Sequence, residues 1–430
     1  MVSLFGLNIY GIGAVVLILI VISVILWYVT KTTAVLATPA NIKRITDVQV
    51  GLLNQRYMGV SLKRTGIQTA ISKLPADDQL YTNIRLLINT TVLSTRLSGY
   101  LGPYINGVFD VDNAVRLALT SGARLMVLEI DDYKGEPVLA YRDVNGYIRS
   151  LNKGRIAEFA KSIASRAFNA NSDSIPPNVA NDPFFVALYF KKTPSLFSSP
   201  QEYIKYLGKV ATELQPLVPF LFSSSPTPQG DFRRQAQESQ LFFRPVSLFM
   251  GKCVILCNID TSVFRNLQDY NMTSLPSTQD LDLMVHCRLY SRESPSNLGA
   301  TSGASSSVTP SAVLTSAQYW LNTSPDYIAD AVSSTKKAFT IVMNPDPTSQ
   351  FDAKTLNTLL NTYGVNSIPY VVFNEQSQTD LWLGAKAPYG AAAWSVKPQP
   401  LRFMPPKPIT VVKQSPQANS GGGAVVSPSL

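Results

Sequence analysis

One stretch constrains this 430-residue chain more than any other, from Asp112 to Asp143, where a helical pattern hands over to an unbroken apolar run. Val115, Ala118 and Leu119 fall on one face of a helix that Asp112 is placed to cap. Gly122 is placed to close it, since glycine enters the left-handed backbone without a Cβ penalty. Leu125 to Leu128 follow with no polar break and end in Glu129 and Asp131. A strand reading as continuous Leu, Met and Val is buried on both faces, the pattern of a parallel sheet covered by helices. In a parallel α/β barrel the C-terminal ends of the strands face the site, which makes the two acids the first candidates for chemistry.

The same alternation can be followed along the chain. Ile84 to Thr91 reads as a strand. Ile156, Phe159, Ile163 and Ala167 repeat at helical spacing, Phe184 to Phe190 form an apolar strand, and an amphipathic helix spans Pro200 to Leu214. Further strands are expected at Phe249 to Asn258, Leu281 to Tyr290, Phe339 to Met343 and Ile368 to Phe373. A helix carrying Leu356, Leu359 and Leu360 is closed by Gly364. Residues 39–79 read as a mixed polar spacer, and Ser223 to Glu238 as a loop insertion. Residues 291–316, rich in Ser, Gly and Ala, read as a flexible linker. The Pro/Ser/Gly tail 405–430 cannot bury apolar surface and reads as disordered. Two halves, 80–290 and 317–404, are thereby marked off.

Ahead of them, residues 12–29 are almost wholly apolar, and no charge occurs from Met1 to Tyr28. At 1.5 Å per residue such a helix comes close to a bilayer core of ~30 Å, with Trp27 and Tyr28 suited to the interfacial belt. Segment 1–38 is therefore expected to be a single transmembrane anchor. A cleaved signal peptide ending near Ala34-Val35-Leu36-Ala37 would need a basic leading region, which is absent. Lys31, Lys43, Arg44 and Arg56 follow the span, which places the bulk of the chain on the cytosolic side or its viral equivalent. Reduced thiols at Cys253, Cys257 and Cys287 fit that side; glycans on the sequons at Asn89, Asn271 or Asn322 would oppose it.

The net charge of +9 favours anionic partners, of which lipid head groups suit an anchored chain and nucleic acid is not expected. Two Cys at spacing four on a strand are too far apart to bond, and no metal-ligand spacing is present, so neither a disulfide framework nor a metal is expected. His286 is the only histidine, which excludes any mechanism that uses one histidine as base and a second as acid.

Several motifs resemble those of the phosphoinositide-specific phospholipase C catalytic barrel. They are Gly122-Ala123-Arg124, Glu129-Ile130-Asp131, Gly135-Glu136-Pro137-Val138 and Ala140-Tyr141-Arg142-Asp143, with Ile88-Asn89-Thr90-Thr91 standing where the family's first barrel strand begins. Trp394 to Arg402, which contains Lys397-Pro398, is similar to a motif of the family's second half. The resemblance spans Leu80 to Arg402 and implies a TIM-type (β/α) barrel built from X-like and Y-like halves. It also implies that the family's chemistry has gone. Val92 and Leu93 occupy the positions of a catalytic histidine and a calcium-binding asparagine, and Arg142 that of the second histidine. Tyr189 replaces a calcium-binding glutamate, and Leu256 and Asn258 replace two phosphate-binding lysines. Neither calcium nor another cofactor is then expected. Glu129, Asp131, Arg142 and Lys397 remain as candidate residues of a degenerate cleft, the two acids also as weak metal ligands.

Three functions are compatible with these features: an inactive phospholipase-C-like binding or scaffold module at a membrane, an active phosphodiesterase on phosphoinositides with displaced residues, and a structural membrane protein, for instance of a virion.

Overall fold

Strands that are apolar on both faces bury neither face alone, and here they curl around one inner core while helices cover the outside. The computed structural model describes residues 9–36, 38–57, 64–79, 82–102, 107–172, 175, 177–222, 240–261, 277–292, 310–384, 387–390 and 392–405. The strands are β1 (Thr90–Val92), β2 (Ser94–Leu97), β3 (Leu125–Tyr133), β4 (Glu136–Leu139), β5 (Phe184–Phe190) and β6 (Cys253–Cys257). They continue with β7 (Cys287–Arg292), β8 (Ala312–Thr315), β9 (Phe339–Val342), β10 (Tyr370–Val371) and β11 (Trp394–Val396). The main sheet has the order β10-β2-β3-β5-β6-β7-β8-β9, all parallel, with β4 antiparallel on β3. Leu97 lies opposite Leu128, which lies opposite Leu188, which lies opposite Cys257.

The two ends of this sheet meet on one segment. Ile341 of β9 and Val92 of β1 both bridge to Ser367, just ahead of β10. The Val342 N–H donates to Ser367 O at 2.8 Å and the Val92 N–H to Asn366 O at 2.8 Å. The Asn366 amide donates to Ile88 O and Thr90 O at 2.9 and 2.8 Å, while its Oδ1 accepts from the Thr340 N–H at 2.9 Å. A side-chain amide thus supplies the hydrogen bonds that short strands leave unmade at the seam.

Alternate residues sort into two apolar layers. Met126, Leu128, Val186 and Leu188 face the helices α5 (Val111–Thr120), α6 (Ile156–Arg166) and α7 (Pro200–Leu214), against Val115, Ala118, Phe159 and Leu207. Leu125, Val127, Phe185, Leu256, Leu289 and Phe339 face inward. Phe185 stacks on Phe339 with centroids 5.7 Å apart and meets Trp394 edge-on at 5.8 Å. The interior is thus packed solid, each large side chain contributing about 1.5–3 kcal/mol by burial.

The helix ahead of β3 is capped two residues earlier than expected. Asp110, not Asp112, accepts from the Asn113 N–H at 3.0 Å, and Asp112 pairs instead with Arg166. Gly122 closes the helix at φ +89°. The first barrel strand also differs from expectation. Residues 84–89 form 3-10 turns whose Ile84, Leu87 and Ile88 seal the inner core, and strand geometry begins at Thr90. Within the expected spacer 39–79, the described residues hold α2 (Pro39–Tyr57), α3 (Ile67–Ser72) and α4 (Ala76–Gln79). Gln49, Leu53 and Tyr57, four apart, are the buried face of α2. Within the expected linker 291–316, residues 293–309 lie outside the described residues, yet β8 is fully buried between β7 and β9. The loop insertion at Ser223 to Glu238 and the tail beyond Pro405 also lie outside the described residues.

The anchor expected at 12–29 falls in α1 (Ile9–Leu36), whose side chains are described for 13–28 and are exposed. Among the described residues no helix is long and apolar enough to cross a membrane.

Candidate functional site

Parallel strands deliver their C-terminal residues to one rim, and at this rim three charges converge. Arg96 precedes the last residue of β2, Glu129 lies in β3, and Lys191 follows β5. Glu129 is 1% exposed, its Oε1 accepts from Arg96 Nε, and Lys191 Nζ lies 3.4 Å from its Oε2. The rest of the Arg96 guanidinium donates to Asn344 O at 2.7 Å and Pro345 O at 2.9 Å, fastening the connection after β9 across the mouth. Lys191 also reaches Ala140 O at 3.3 Å. Oε1 is thus hydrogen-bonded to Arg96, while Oε2 is buried without a hydrogen-bond partner and meets Lys191 only as an ion pair; the guanidinium is committed to three acceptors.

Asp131, two residues further along β3, accepts from Arg142 Nε at 2.7 Å and from the Asp132 N–H at 2.7 Å. Arg142 donates onward to Asp132 O and Gly146 O, so the side chain braces the β4–α6 connection. Asp132 pairs with Lys192 at 3.1 Å. Asn258, after β6, accepts from the Phe190 N–H at 2.8 Å and donates to Phe190 O at 3.0 Å, which ties two strand ends together. Tyr100 and Tyr141 meet edge-on at 5.1 Å on the same rim. Partial burial, with Asp346 second, raises both phenols above their ordinary range.

Of the four residues expected in the cleft, Glu129, Asp131 and Arg142 therefore gather at the mouth. Lys397 does not. Strand β11 runs antiparallel to β1, at the start of the first barrel strand, and so carries Lys397 to the opposite end of the barrel. There it is fully buried and donates to Thr335 O at 3.1 Å. Burial first, and Lys336 second, push its ammonium down to about 7.

Val92 and Leu256 are core residues with no exposure, and Leu93 packs on the helix side. His286 is buried ahead of β7, where Nδ1 accepts from the Ile255 N–H at 3.0 Å and the ring lies 6.2 Å from Phe222. Cys253, Cys257 and Cys287 are free and buried, and burial pushes each thiol up to about 12. Among the described residues no group of three His, Cys, Asp or Glu side chains is placed to hold a metal ion.

Sequence reasoning missed Arg96 and Lys191. The available signal was a basic residue inside or just after a buried strand, since an unpaired charge there is prohibitive and a pair implies an acid nearby.

No protein-family model and no curated protein matches the chain. Solved structures do resemble it. PLC21 of L. pealei has a TM-score of 0.50 at 12% identity, covering 75% of this chain and 38% of that one. PLC21 of S. officinalis has a TM-score of 0.50 at 13% identity with the same coverage. The chain thus spans well under half the length of both. A calcium-dependent phosphoinositol-specific phospholipase C of a Pseudomonas species has a TM-score of 0.43 at 12% identity, covering 76% of this chain and 99% of that one. At these identities the likeness concerns architecture, and on architecture it agrees with the strand order above: the chain has an α/β fold whose curled parallel sheet resembles that of the phosphoinositide phospholipases C.

Proposed function

We propose that this chain is a membrane-anchored, phospholipase-C-like binding or scaffold module that does not hydrolyse phosphoinositides. The observation that carries this reading is the state of Glu129. An acid at the barrel mouth that served as base or metal ligand would need to face substrate, whereas this one is buried, with Oε1 accepting from Arg96 and Oε2 3.4 Å from the Lys191 ammonium. The surrounding residues support it. Val92, Leu256 and Tyr189 supply no proton-transfer group of suitable strength, and the sole histidine is engaged by a backbone N–H away from the mouth. Losing one general acid or base costs typically 10²–10⁴ in rate, and here several are missing together.

The anchor rests on the apolar run of 12–29 and on the basic residues after it. Retained binding rests on the cationic side chains Arg142, Lys191 and Lys192 at the rim, which attract anionic head groups. The test uses full-length protein in vesicles of phosphatidylcholine with phosphatidylinositol or its phosphates, with and without calcium. Binding that weakens with salt and with Arg142→Ala, and no release of inositol phosphate, is the expected result. Calcium-dependent turnover abolished by Glu129→Gln would refute it, and absence of both binding and turnover would favour a purely structural role.

A further inference from the structure

We propose that the end of the barrel opposite the mouth carries an apolar docking patch centred on Leu248 and Met404, and that its occupant is the chain's own segment 409–412.

The patch is assembled from three places in the chain. Leu86, ahead of β1, bridges to Pro245, and the Leu248 N–H donates to Pro245 O at 3.1 Å, which sets Leu248 next to Leu86. Phe243, two residues before Pro245, meets Phe403 edge-on with centroids 4.7 Å apart. Phe403 is clamped in turn by Asn89, whose Oδ1 accepts from its N–H at 2.6 Å and whose amide donates to its carbonyl at 2.9 Å. These residues precede β1 or β6 or follow β11, so they lie at the far end. Leu86, Phe243 and Phe403 are half-buried against the inner core, whereas Leu248 and Met404 are 51% and 49% exposed. Backbone bonds therefore fix an apolar surface that the barrel itself leaves open, and such a surface marks a contact.

The occupant follows from where the chain goes next. The described residues reach Pro405 at the patch, and the sequence continues Pro406-Lys407-Pro408-Ile409-Thr410-Val411-Val412-Lys413. Prolines favour an extended path of ~3.1 Å per residue, so the apolar run begins within about 16 Å of Met404. In an extended chain Ile409 and Val411 share one face, and their branched side chains lose little freedom on docking. So short a tether keeps the run at high effective concentration over the patch. Charge agrees. Lys407 and Lys413 flank the run, and α4 brings Asp77, which is exposed, and Asp78, 3.5 Å from Arg402, to the edge of the patch. Two other segments are poorer occupants. Residues 223–239, which join the barrel at the same end, contain one large apolar residue, Phe232, and the run 424–426 lies behind three glycines on a longer tether that costs more to close.

The experiment places full-length protein in phosphatidylcholine nanodiscs, which leave both faces of the bilayer open to reagent. Leu248→Cys supplies one reactive thiol, since the three native ones are buried. A water-soluble maleimide should label it several-fold faster once Ile409→Ser, Val411→Ser and Val412→Ser are added together, and no faster when Ala424→Ser, Val425→Ser and Val426→Ser are added instead. Met404→Cys should give the same order of rates, and Val144→Cys, 93% exposed at the mouth, one rate with every tail. A short bismaleimide should join Leu248→Cys to Thr410→Cys within one chain. Equal rates with all tails overturn the proposal. Cross-links between two chains would assign the patch to a second copy, and acceleration by the 424–426 serines alone would assign it to the other run; either result overturns it as well.

Discussion

Replacing Glu129 separates a structural acid from a catalytic one by the sign of its effect on stability. Arg96 is 4% exposed, and its guanidinium has one charged partner, Glu129, and two carbonyls, of Asn344 and Pro345. Glu129→Gln keeps an oxygen for Arg96 Nε but turns a charge-assisted hydrogen bond into a neutral one, a loss of about 1–2 kcal/mol. Glu129→Met strands the guanidinium with its carbonyls alone, and removing one partner of a buried pair costs about 3–5 kcal/mol. Lys191 is partly exposed and can turn to water, so it adds little. In the double variant Arg96→Met/Glu129→Met no charge is left uncompensated, and the cost should fall below that of Glu129→Met alone. Urea unfolding followed by tryptophan fluorescence reads all three, since Trp320, Trp382 and Trp394 are buried in the barrel. A Glu129→Met variant as stable as the parent, or more stable, would refute the reasoning, because acids kept for chemistry are held at a cost to stability that their removal relieves.

Lys397 gives a prediction with a pH window. Its ammonium is pushed down to about 7 from an ordinary 10.5, so between these values the unfolded chain binds the additional proton and stability rises with pH; below about 7 both states are protonated and the contribution is flat. Lys397→Met should remove that rise and stabilise the protein at pH 7 by a few kcal/mol as an order of magnitude, read as parallel urea midpoints at pH 7 and pH 10. The buried cysteines should resist a thiol reagent in the native protein and react together on unfolding; rapid reaction of one of them in native buffer would show that the barrel opens locally there.

The legible parts of the fold were those whose burial is written in side-chain type. Strand β3 is buried on both faces and reads so, and the helix Pro200–Leu214 announces its start with Ser199, whose hydroxyl accepts from the Glu202 N–H at 3.1 Å. Strand β2 was not legible, because its inward residues are Ser94 and Arg96. The first bonds Ser367 across the seam at 2.8 Å and the second neutralises Glu129. Polar atoms satisfied by partners distant in sequence bury as well as leucine does, but their partners are invisible in a one-dimensional pattern. Strand β8 was hidden by four residues next to a Ser/Gly-rich run, and α2 by a buried Gln49 that serves the Val108 N–H. At the site, the acids were placed by strand ending, whereas Arg96 and Lys191 come from neighbouring strands. Lys397 was misplaced because a motif gives no strand direction, and β11 returns antiparallel at the other end.

The seam at Asn366 also sets an order of events during synthesis. Its amide bonds Thr90 O across 276 residues of chain, and β10 pairs with β2 over a similar distance. At translation rates of about 5–20 residues per second, the outer edge of β2 stays unpaired for roughly a quarter of a minute to one minute after it emerges. An open parallel edge is a template for wrong pairing. Arg96 stands on that edge and meets Glu129 on β3 early, so a charge is buried beside the vacancy long before β10 arrives. The nascent half-barrel thereby carries an unpaired edge for most of its synthesis, and its yield should depend more on how fast residues 366–371 follow than on the stability of the finished protein.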